Sequence, residues 1–309
     1  GDESLDEEGA AVFGSLTYAL TKRWSLTGGL RYEHEEKSFS SNGMRIRQPV
    51  SFDDDASYSE LLPKVALSYS WSPDLMVYAS VAQGARSGGF NSALMGSAAN
   101  TYDTELSTSY EFGLKSTWWD RRLRVNGAIF RMDIDDQQIG QTVPGTAFVI
   151  TTNAGESRSY GVELEMQAAV TRELELIANG AYLDTEFEDF VDPVAGTDYA
   201  GNTPPFAPEY TYLLAAQHNK PIGNLLLSTR LEIKGTGRVY FDNANTLSQD
   251  PYQLLNLSVG LSGGDWSVVL WGKNLTDEEY FRYASAYGTD ALVAYGPPRT
   301  FGVTTRYDF

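Results

Sequence analysis

Hydrophobic and polar residues alternate along many segments of this chain. At the C-terminal end, Phe301, Val303 and Tyr307 have one parity, whereas Arg306 and Asp308 have the other. Successive side chains of a β-strand point to opposite faces, so a period of two predicts strands with one apolar and one polar face. We find no segment with the 3.6-residue period of a helix.

The alternating segments repeat from one end of the chain to the other. They predict roughly thirteen strands and an all-β fold. The predicted strands lie near residues 10–20, 24–38, 59–71, 75–86, 108–119, 123–138, 148–170, 173–189, 209–221, 224–241, 252–262, 266–282 and 299–309.

The links between the predicted strands are of two lengths. Short links lie at residues 21–23, 72–74, 120–122, 171–172, 222–223 and 263–265. Long polar links lie at 39–58, 87–107, 190–208, 242–251 and 283–298, with a shorter one near 139–147. Alternating short turns and long loops are typical of an antiparallel transmembrane β-barrel, which we predict here. The alternative is a soluble β-sandwich or propeller, in which loops of mixed length join strands with one buried face.

The tryptophans support the barrel. Five of the six lie beside short links, where indole rings would form an aromatic girdle at one membrane interface: Trp24, Trp71, Trp118, Trp119 and Trp266. No run approaches the roughly 20 apolar residues that a membrane-spanning helix needs. The net charge of -18 argues against a nucleic-acid partner, because phosphate backbones are bound by basic surfaces.

The sequence contains no convincing catalytic or metal-binding constellation. It has no Cys, and its two His are His34, on an apolar parity, and His218, near a short link. We therefore predict neither an enzyme nor a resident metal or cofactor, with a hydrolytic outer-membrane enzyme as the alternative. The acidic runs at 53–55 and 133–136 are candidates for Ca²⁺ binding, but they lack EF-hand spacing and are better explained as solvated loops.

Several stretches resemble the C-terminal β-barrel of TonB-dependent outer-membrane receptors of Gram-negative bacteria. The stretches are VYASVAQGARSGGFN (77–91), LSTSYEFGLK (106–115), NAG (153–155) followed by YGVELE (160–165), VLWGKNLTDEEY (269–280) and PRTFGV (298–303). They follow the order of that family and extend over essentially the whole chain. The resemblance implies uptake of a scarce, bulky small-molecule ligand, driven by proton-motive force through TonB. A ferric siderophore is the first expectation, with cobalamin and glycans next.

The resemblance also implies a larger barrel. Receptors of this kind have about 22 strands around a plug, so residues 1–309 are expected to form the C-terminal part of one. The plug, the TonB-contacting segment and the first strands would come from the remaining N-terminal part of the same receptor. Residues 1–8 are expected in an extracellular loop and the C-terminus in the periplasm. The alternative is a smaller barrel of about fourteen strands, the next even number.

The polar parity carries many charges, as expected for a hydrated lumen or for contact with a polar plug. The predicted lumen residues, facing ligand or plug, are Arg31, Glu33, Arg86, Glu111, Lys115, Arg124, Glu163, Glu165, Arg230, Glu232 and Lys234. The predicted ligand-contacting loop aromatics are Tyr102, Tyr240, Tyr283, Tyr287 and Tyr295. By resemblance, Phe309 is the signal for the barrel-assembly machinery. Two other functions stay open, a passive porin-like channel and an adhesion or partner-binding scaffold.

Overall fold

A computed structural model of the chain describes residues 2–45, 48–91, 101–142, 149–153, 155–192, 196–287 and 290–309. In chain order the strands are β1 (Asp2–Ala19), β2 (Trp24–Arg45), β3 (Gln48–Ser72), β4 (Leu75–Arg86), β5 (Gly89–Phe90), β6 (Thr101–Tyr102), β7 (Glu105–Trp118), β8 (Leu123–Asp135), β9 (Gln138–Thr142), β10 (Val149–Asn153), β11 (Glu156–Ala169), β12 (Leu174–Asp189), β13 (Tyr210–Ile222), β14 (Leu225–Thr236), β15 (Val239–Tyr240), β16 (Ser248–Gln249), β17 (Tyr252–Gly263), β18 (Trp266–Lys273), β19 (Phe281–Tyr287), β20 (Asp290–Tyr295) and β21 (Thr300–Tyr307).

Thirteen of these strands form one antiparallel sheet, which confirms the all-β prediction. Their order is β1-β2-β3-β4-β7-β8-β11-β12-β13-β14-β17-β18-β21, so every strand pairs with the next sheet strand along the chain. The other strands form four two-stranded ribbons in the long links: β5 with β6, β9 with β10, β15 with β16 and β19 with β20. Strands β1 and β21 lie at the two edges of the sheet. In the described part of the chain, no helix is long and apolar enough to cross a membrane.

The first three strands extend further than the alternation predicts. The link expected at 39–58 is a continued hairpin, in which β2 and β3 pair as far as Arg45 and Gln48. Residues Asp2–Glu8, expected in a loop, belong to β1 and pair with β2 as far as Asn42. The ladder uses backbone groups alone, so it continues where both faces are polar and the sequence no longer alternates.

Four predicted strands are shorter in the main sheet than expected. The strand predicted at 123–138 ends at Asp135, and the one predicted at 148–170 begins at Glu156. The strands predicted at 224–241 and 266–282 end at Thr236 and Lys273. Gly155 explains one of these breaks, because a Cβ at this position would overlap the backbone carbonyl of Asp189. The chain there approaches β12 too closely for a larger residue, and it bends away into the β9–β10 ribbon.

The short turns lie at one rim of the sheet, as predicted. At two of them the left-handed position is glycine, with φ 62° at Gly223 and 56° at Gly264. The β7–β8 turn instead has three consecutive non-glycine residues there, Trp119 (55°), Asp120 (54°) and Arg121 (66°). A left-handed conformation costs a non-glycine residue about 1–2 kcal/mol. This turn is therefore the strained one among the three.

The small buried core lies at the opposite rim, among the long links. Phe187 and Phe190 have no exposed surface, and their rings meet edge to face 4.8 Å apart. Ile139 of the β9–β10 ribbon and Tyr199 pack against them. On the sheet itself large apolar side chains are exposed, for example Leu16 at 74%. This is the reverse of a water-soluble protein, whose sheets bury one face.

Candidate functional site

The strand register decides which side chains share a face of the sheet. Ala79, Phe112, Ile129 and Val162 pair directly across β4, β7, β8 and β11, so they form one row on one side, here called the apolar face. Following the register from β2 to β14 puts all the charged candidates on the opposite side, the polar face. These are Arg31, Glu33, Arg86, Glu111, Lys115, Arg124, Glu163, Glu165, Arg230, Glu232 and Lys234. That they contact ligand or plug stays a prediction.

Several charges on the polar face are paired along their own strand. Arg31 Nε lies 2.7 Å from Glu33 Oε2. On β14, Arg230 Nη2 and Lys234 Nζ lie 2.9 and 3.1 Å from the carboxylate of Glu232. Residues two positions apart point to the same face, so a charged strand can satisfy itself laterally. Such pairs restrict the positions of the charged side chains on this face.

Neighbouring strands supply the other polar contacts of this face. The Tyr78 hydroxyl donates a 2.5 Å hydrogen bond to Glu111, and Lys115 Nζ lies 5.5 Å from the centroid of the same ring. Asn126 donates to Glu165 at 3.3 Å. Seven of the predicted residues are exposed on this face: Arg31, Arg86, Lys115, Arg124, Glu163, Glu165 and Lys234. Tyr78 was missed in the sequence because an aromatic residue on the polar parity looks like an interruption of the pattern.

The polar face contains a cavity of about 340 Å³ near the last strands. Its charged lining comprises the three cations Arg230, Lys234 and Lys273 around the single carboxylate of Glu232. The cavity is thus locally cationic in a chain with a net charge of -18, which favours an anionic partner there. The lining also includes Asn256, Trp271 and Tyr280. Sequence parity could have found Trp271 and Lys273, which share the polar parity of β18.

Aromatic rings cluster where the long links meet. Tyr283 stacks on Phe206 with centroids 6.1 Å apart and planes 8° apart. Tyr295 meets Phe281 edge to face at 5.0 Å. Both Tyr283 and Tyr295 are exposed, as a ligand-contacting surface requires. Phe206 was missed by the sequence reasoning. Of the other predicted tyrosines, Tyr102 and Tyr240 are half-buried in β6 and β15, and the side chain of Tyr287 lies outside the described residues.

Two of the long links are held together by side-chain amides. Gln138 Nε2 donates to the backbone carbonyls of Ser87 (2.9 Å) and Asp103 (3.1 Å). Asn91 and the backbone of Thr151 exchange two hydrogen bonds, at 2.7 and 2.8 Å. The β4–β7 link and the β9–β10 ribbon are therefore joined by these bonds, which orient the surface between them.

A comparison with protein-family models matches residues 2–275 to the β-barrel of TonB-dependent receptor-like proteins. The chain belongs to the TonB-dependent receptors. The pesticin receptor of Yersinia pestis is 28% identical over 305 residues, which are 98% of this chain and 44% of that receptor. The ferrioxamine receptor of Yersinia enterocolitica is 26% identical, over 93% of this chain and 38% of the relative. The chain thus spans less than half the length of these relatives.

Solved structures agree with this membership. The ferric yersiniabactin uptake receptor FyuA of Yersinia pestis superposes with a TM-score of 0.87 at 27% identity, over 99% of this chain and 46% of FyuA. The siderophore receptor PiuA of Acinetobacter baumannii, at 22% identity and a TM-score of 0.80, shares the fold, over 98% of this chain and 43% of PiuA. TonB-dependent receptors are outer-membrane β-barrels of Gram-negative bacteria, and these relatives are transport receptors rather than enzymes. The apolar face of the receptor therefore faces lipid.

Asp133, in the acidic run at 133–136, forms ion pairs in the receptor. Asp133 accepts hydrogen bonds from Arg131 at 3.0 Å and from Arg158 at 2.9 Å, and Arg158 also pairs with Glu188. The guanidinium groups of Arg131 and Arg158 thus already bind the Asp133 carboxylate, which a Ca²⁺ ion would need as a ligand. Among the described residues, no group of three or more His, Cys, Asp and Glu is placed to hold a metal ion.

Glu35 links β2 to the end of β4 just beyond the membrane-spanning part of β2, which needs about 9–11 residues from Trp24. Ser87 Oγ donates to Glu35 at 2.5 Å, and Lys37 Nζ lies 3.3 Å from the same carboxylate. The Ser87 hydrogen bond and the Lys37 charge hold the pKa of Glu35 below its ordinary value, although burial raises it. The ionised form is therefore the one that the folded receptor stabilises.

We expect this contact to weaken on acidification. Because the folded pKa is the lower one, the stabilisation is complete above the ordinary glutamate pKa of about 4.3 and is lost as the pH falls through the folded value. Hydrogen exchange of residues 84–91, corrected for intrinsic rates, should accelerate as the pH falls below the ordinary glutamate pKa. Glu35→Gln should remove this pH dependence, whereas Glu8→Gln on exposed β1 should keep it. A wild-type response in Glu35→Gln would assign the transition to another group.

Proposed function

We propose that this chain forms the C-terminal wall of a receptor that takes up a ferric siderophore across the outer membrane, driven by TonB and proton-motive force. The observation that carries the proposal is the similarity to FyuA, described as a ferric yersiniabactin uptake receptor, over 99% of this chain. The pesticin and ferrioxamine receptors add sequence support over nearly the same span. Cobalamin and glycans are the next candidate ligands.

The open sheet supports a larger assembly. Strands β1 and β21 each have one partner within the sheet, and thirteen antiparallel strands would close only by pairing two parallel edges. Bacterial single-chain barrels have even strand numbers. We therefore propose that residues 1–309 supply the C-terminal part of a barrel of about 22 strands. An N-terminal part of the same receptor would add the first strands, the plug and the TonB contact.

The two rims suggest an orientation. In outer-membrane barrels short turns are periplasmic and long loops extracellular. We accordingly place the Phe206–Tyr283 stack outside the cell, where its exposed rings would contact the ligand. The polar face would line the lumen and meet the plug, with the cationic cavity beside β18 receiving an anionic group. Phe309, at the periplasmic end, would be read by the barrel-assembly machinery.

Growth under iron limitation tests the proposal. The complete coding sequence is expressed in a Gram-negative strain that lacks its own siderophore receptors, and single ferric siderophores are supplied. We expect at least one of them to restore growth when TonB is present and none to do so when TonB is deleted. Uptake of ⁵⁵Fe bound to the active siderophore gives the direct rate.

Two outcomes would contradict the proposal. Growth that is independent of TonB, together with a large stable current in planar bilayers, would identify a passive channel. Loss of adhesion to a partner protein on deletion of the gene, with unchanged iron uptake from every siderophore, would identify a scaffold. An energy-coupled receptor with a plugged lumen should conduct little current.

A further inference from the structure

We propose that the β3–β4 and β7–β8 turns together bind the headgroup of an ethanolamine phospholipid at the rim of short turns. The two turns enclose a cavity of about 730 Å³, here called the turn pocket. Its lining includes Trp71, Trp118, Trp119, Asp74, Asp120 and Arg121. Three indole rings, two carboxylates and one guanidinium thus converge at one point of this rim.

The backbone of the β7–β8 turn holds these groups in place at a conformational cost. Trp119 and Arg121 both have left-handed φ angles, at 55° and 66°. The equivalent strain is absent at Gly223 and Gly264, which serve the same turning function at the same rim. Trp119 is 71% exposed, so burial of its ring does not offset the strain. Backbone strain that packing does not offset points to a function for the side chains of the strained turn.

The neighbouring turn contributes a fixed carboxylate. Thr117 donates to Asp74 twice, from its backbone N to the Asp74 carbonyl at 2.8 Å and from its hydroxyl to Asp74 Oδ1 at 3.1 Å. Arg121 Nε lies 4.0 Å from the same Oδ1, and the Arg121 side chain is 82% exposed. The pocket therefore has an anchored negative group beside a positive group that remains free to contact a ligand.

A zwitterionic headgroup matches both signs of charge in the pocket. Its phosphate would accept hydrogen bonds from the Arg121 guanidinium, which is suited to phosphate oxygens. Its ammonium would lie near Asp74 and against the indole faces, which attract cations. The acyl chains would continue along the apolar face, where Trp71 and Trp118 are exposed. Phosphatidylglycerol offers the phosphate without the ammonium, so it should bind less well.

This inference rests on the proposed membrane orientation, in which the pocket meets the periplasmic leaflet, but its test does not use transport. The complete receptor is purified in detergent and titrated with equal amounts of phosphatidylethanolamine and phosphatidylglycerol that have identical acyl chains. Native mass spectrometry then counts the bound lipids. We expect one phosphatidylethanolamine to be retained with about tenfold preference, which corresponds to about 1.4 kcal/mol.

Variants separate the pocket from a general aromatic girdle. Trp119→Gly relieves the left-handed strain while removing the ring, and Arg121→Gln removes the phosphate contact, so both should lose the preference in a receptor that still folds. Arg172→Gln, at the β11–β12 turn, is the matched control and should keep it. Equal binding of both lipids by the wild type would overturn the proposal, as would an unchanged preference in both pocket variants. Iron uptake, measured separately, would distinguish either result from failure of the proposed transport function.

Discussion

Replacing Asn274 by alanine in the complete receptor is expected to release the β19–β20 ribbon from the sheet. Asn274 is 3% exposed and lies where β18 ends. Its Nδ2 donates to the carbonyls of Glu278 (2.9 Å) and Pro297 (3.2 Å), and its Oδ1 accepts from the Glu278 amide at 2.8 Å. One side chain thus joins both ends of the link that contains the ribbon.

The expected effect is large because two costs add. Three hydrogen bonds are lost, each contributing about 0.5–1.5 kcal/mol, and buried backbone groups are left unpaired. Alanine would also have to adopt the left-handed φ of 50° at this position, for about 1–2 kcal/mol. Together these costs amount to at least about 3 kcal/mol, or on the order of a hundredfold more frequent opening. Hydrogen exchange at Glu278 and across residues 281–295 should accelerate accordingly, and ligand affinity should fall if Tyr283 contributes to binding.

Two further substitutions at the same position separate the costs. Asn274→Gly tolerates the left-handed backbone but removes all three side-chain bonds, so it should be less disruptive than alanine. Asn274→Asp keeps the acceptor for the Glu278 amide and loses only the two donated bonds. Should glycine and alanine open the ribbon equally, backbone strain would have no part in the effect. Wild-type exchange in all three variants would show that the ribbon is held by its aromatic contacts instead.

The sequence predicted the sheet well because the faces of a strand depend only on parity. Once Glu111 and Val162 were assigned to opposite faces, pairing between neighbouring strands had to preserve that assignment across the sheet. A slip of one residue would have put charges such as Arg230 into lipid. The number of strands followed for the same reason, since each crossing of a membrane needs its own alternating segment.

The candidate site was less predictable because contacts in the links do not follow a period. Nothing in the alternation indicates that Gln138 would bridge two links or that Phe187 would be covered by the β9–β10 ribbon. Phe206 was overlooked because its position depends on the left-handed turn that follows Pro205, with φ 63°. The continued β2–β3 hairpin was missed because backbone hydrogen bonds hold it together. Its side chains are largely polar on both faces, so the sequence there shows no alternation from which strands could be predicted.

Substituting valine for Gly302 is expected to prevent most of the receptor from completing strand β21. Gly302 of β21 pairs directly with Trp271 of β18, and a Cβ at Gly302 would overlap the indole ring. The ring is held in place by its Nε1 hydrogen bond to Thr304 (3.2 Å) and by Lys273, 5.2 Å from the ring. It can move aside only by breaking those contacts.

Overpacking of this kind costs about 1–3 kcal/mol, and β21 has only eight residues with which to offset it. We expect the amount of folded receptor, measured as the heat-modifiable band in unheated SDS gels, to decrease about tenfold. A cost of about 1.4 kcal/mol changes the ratio of folded to unfolded receptor by that factor. Thr305→Val, on the apolar face of the same strand, should fold normally. Combining Gly302→Val with Trp271→Ala makes room for the new side chain, so the double variant should fold better than Gly302→Val alone. If the double variant folds no better, the indole ring is not the obstacle, and glycine is required at 302 for the backbone of β21 itself.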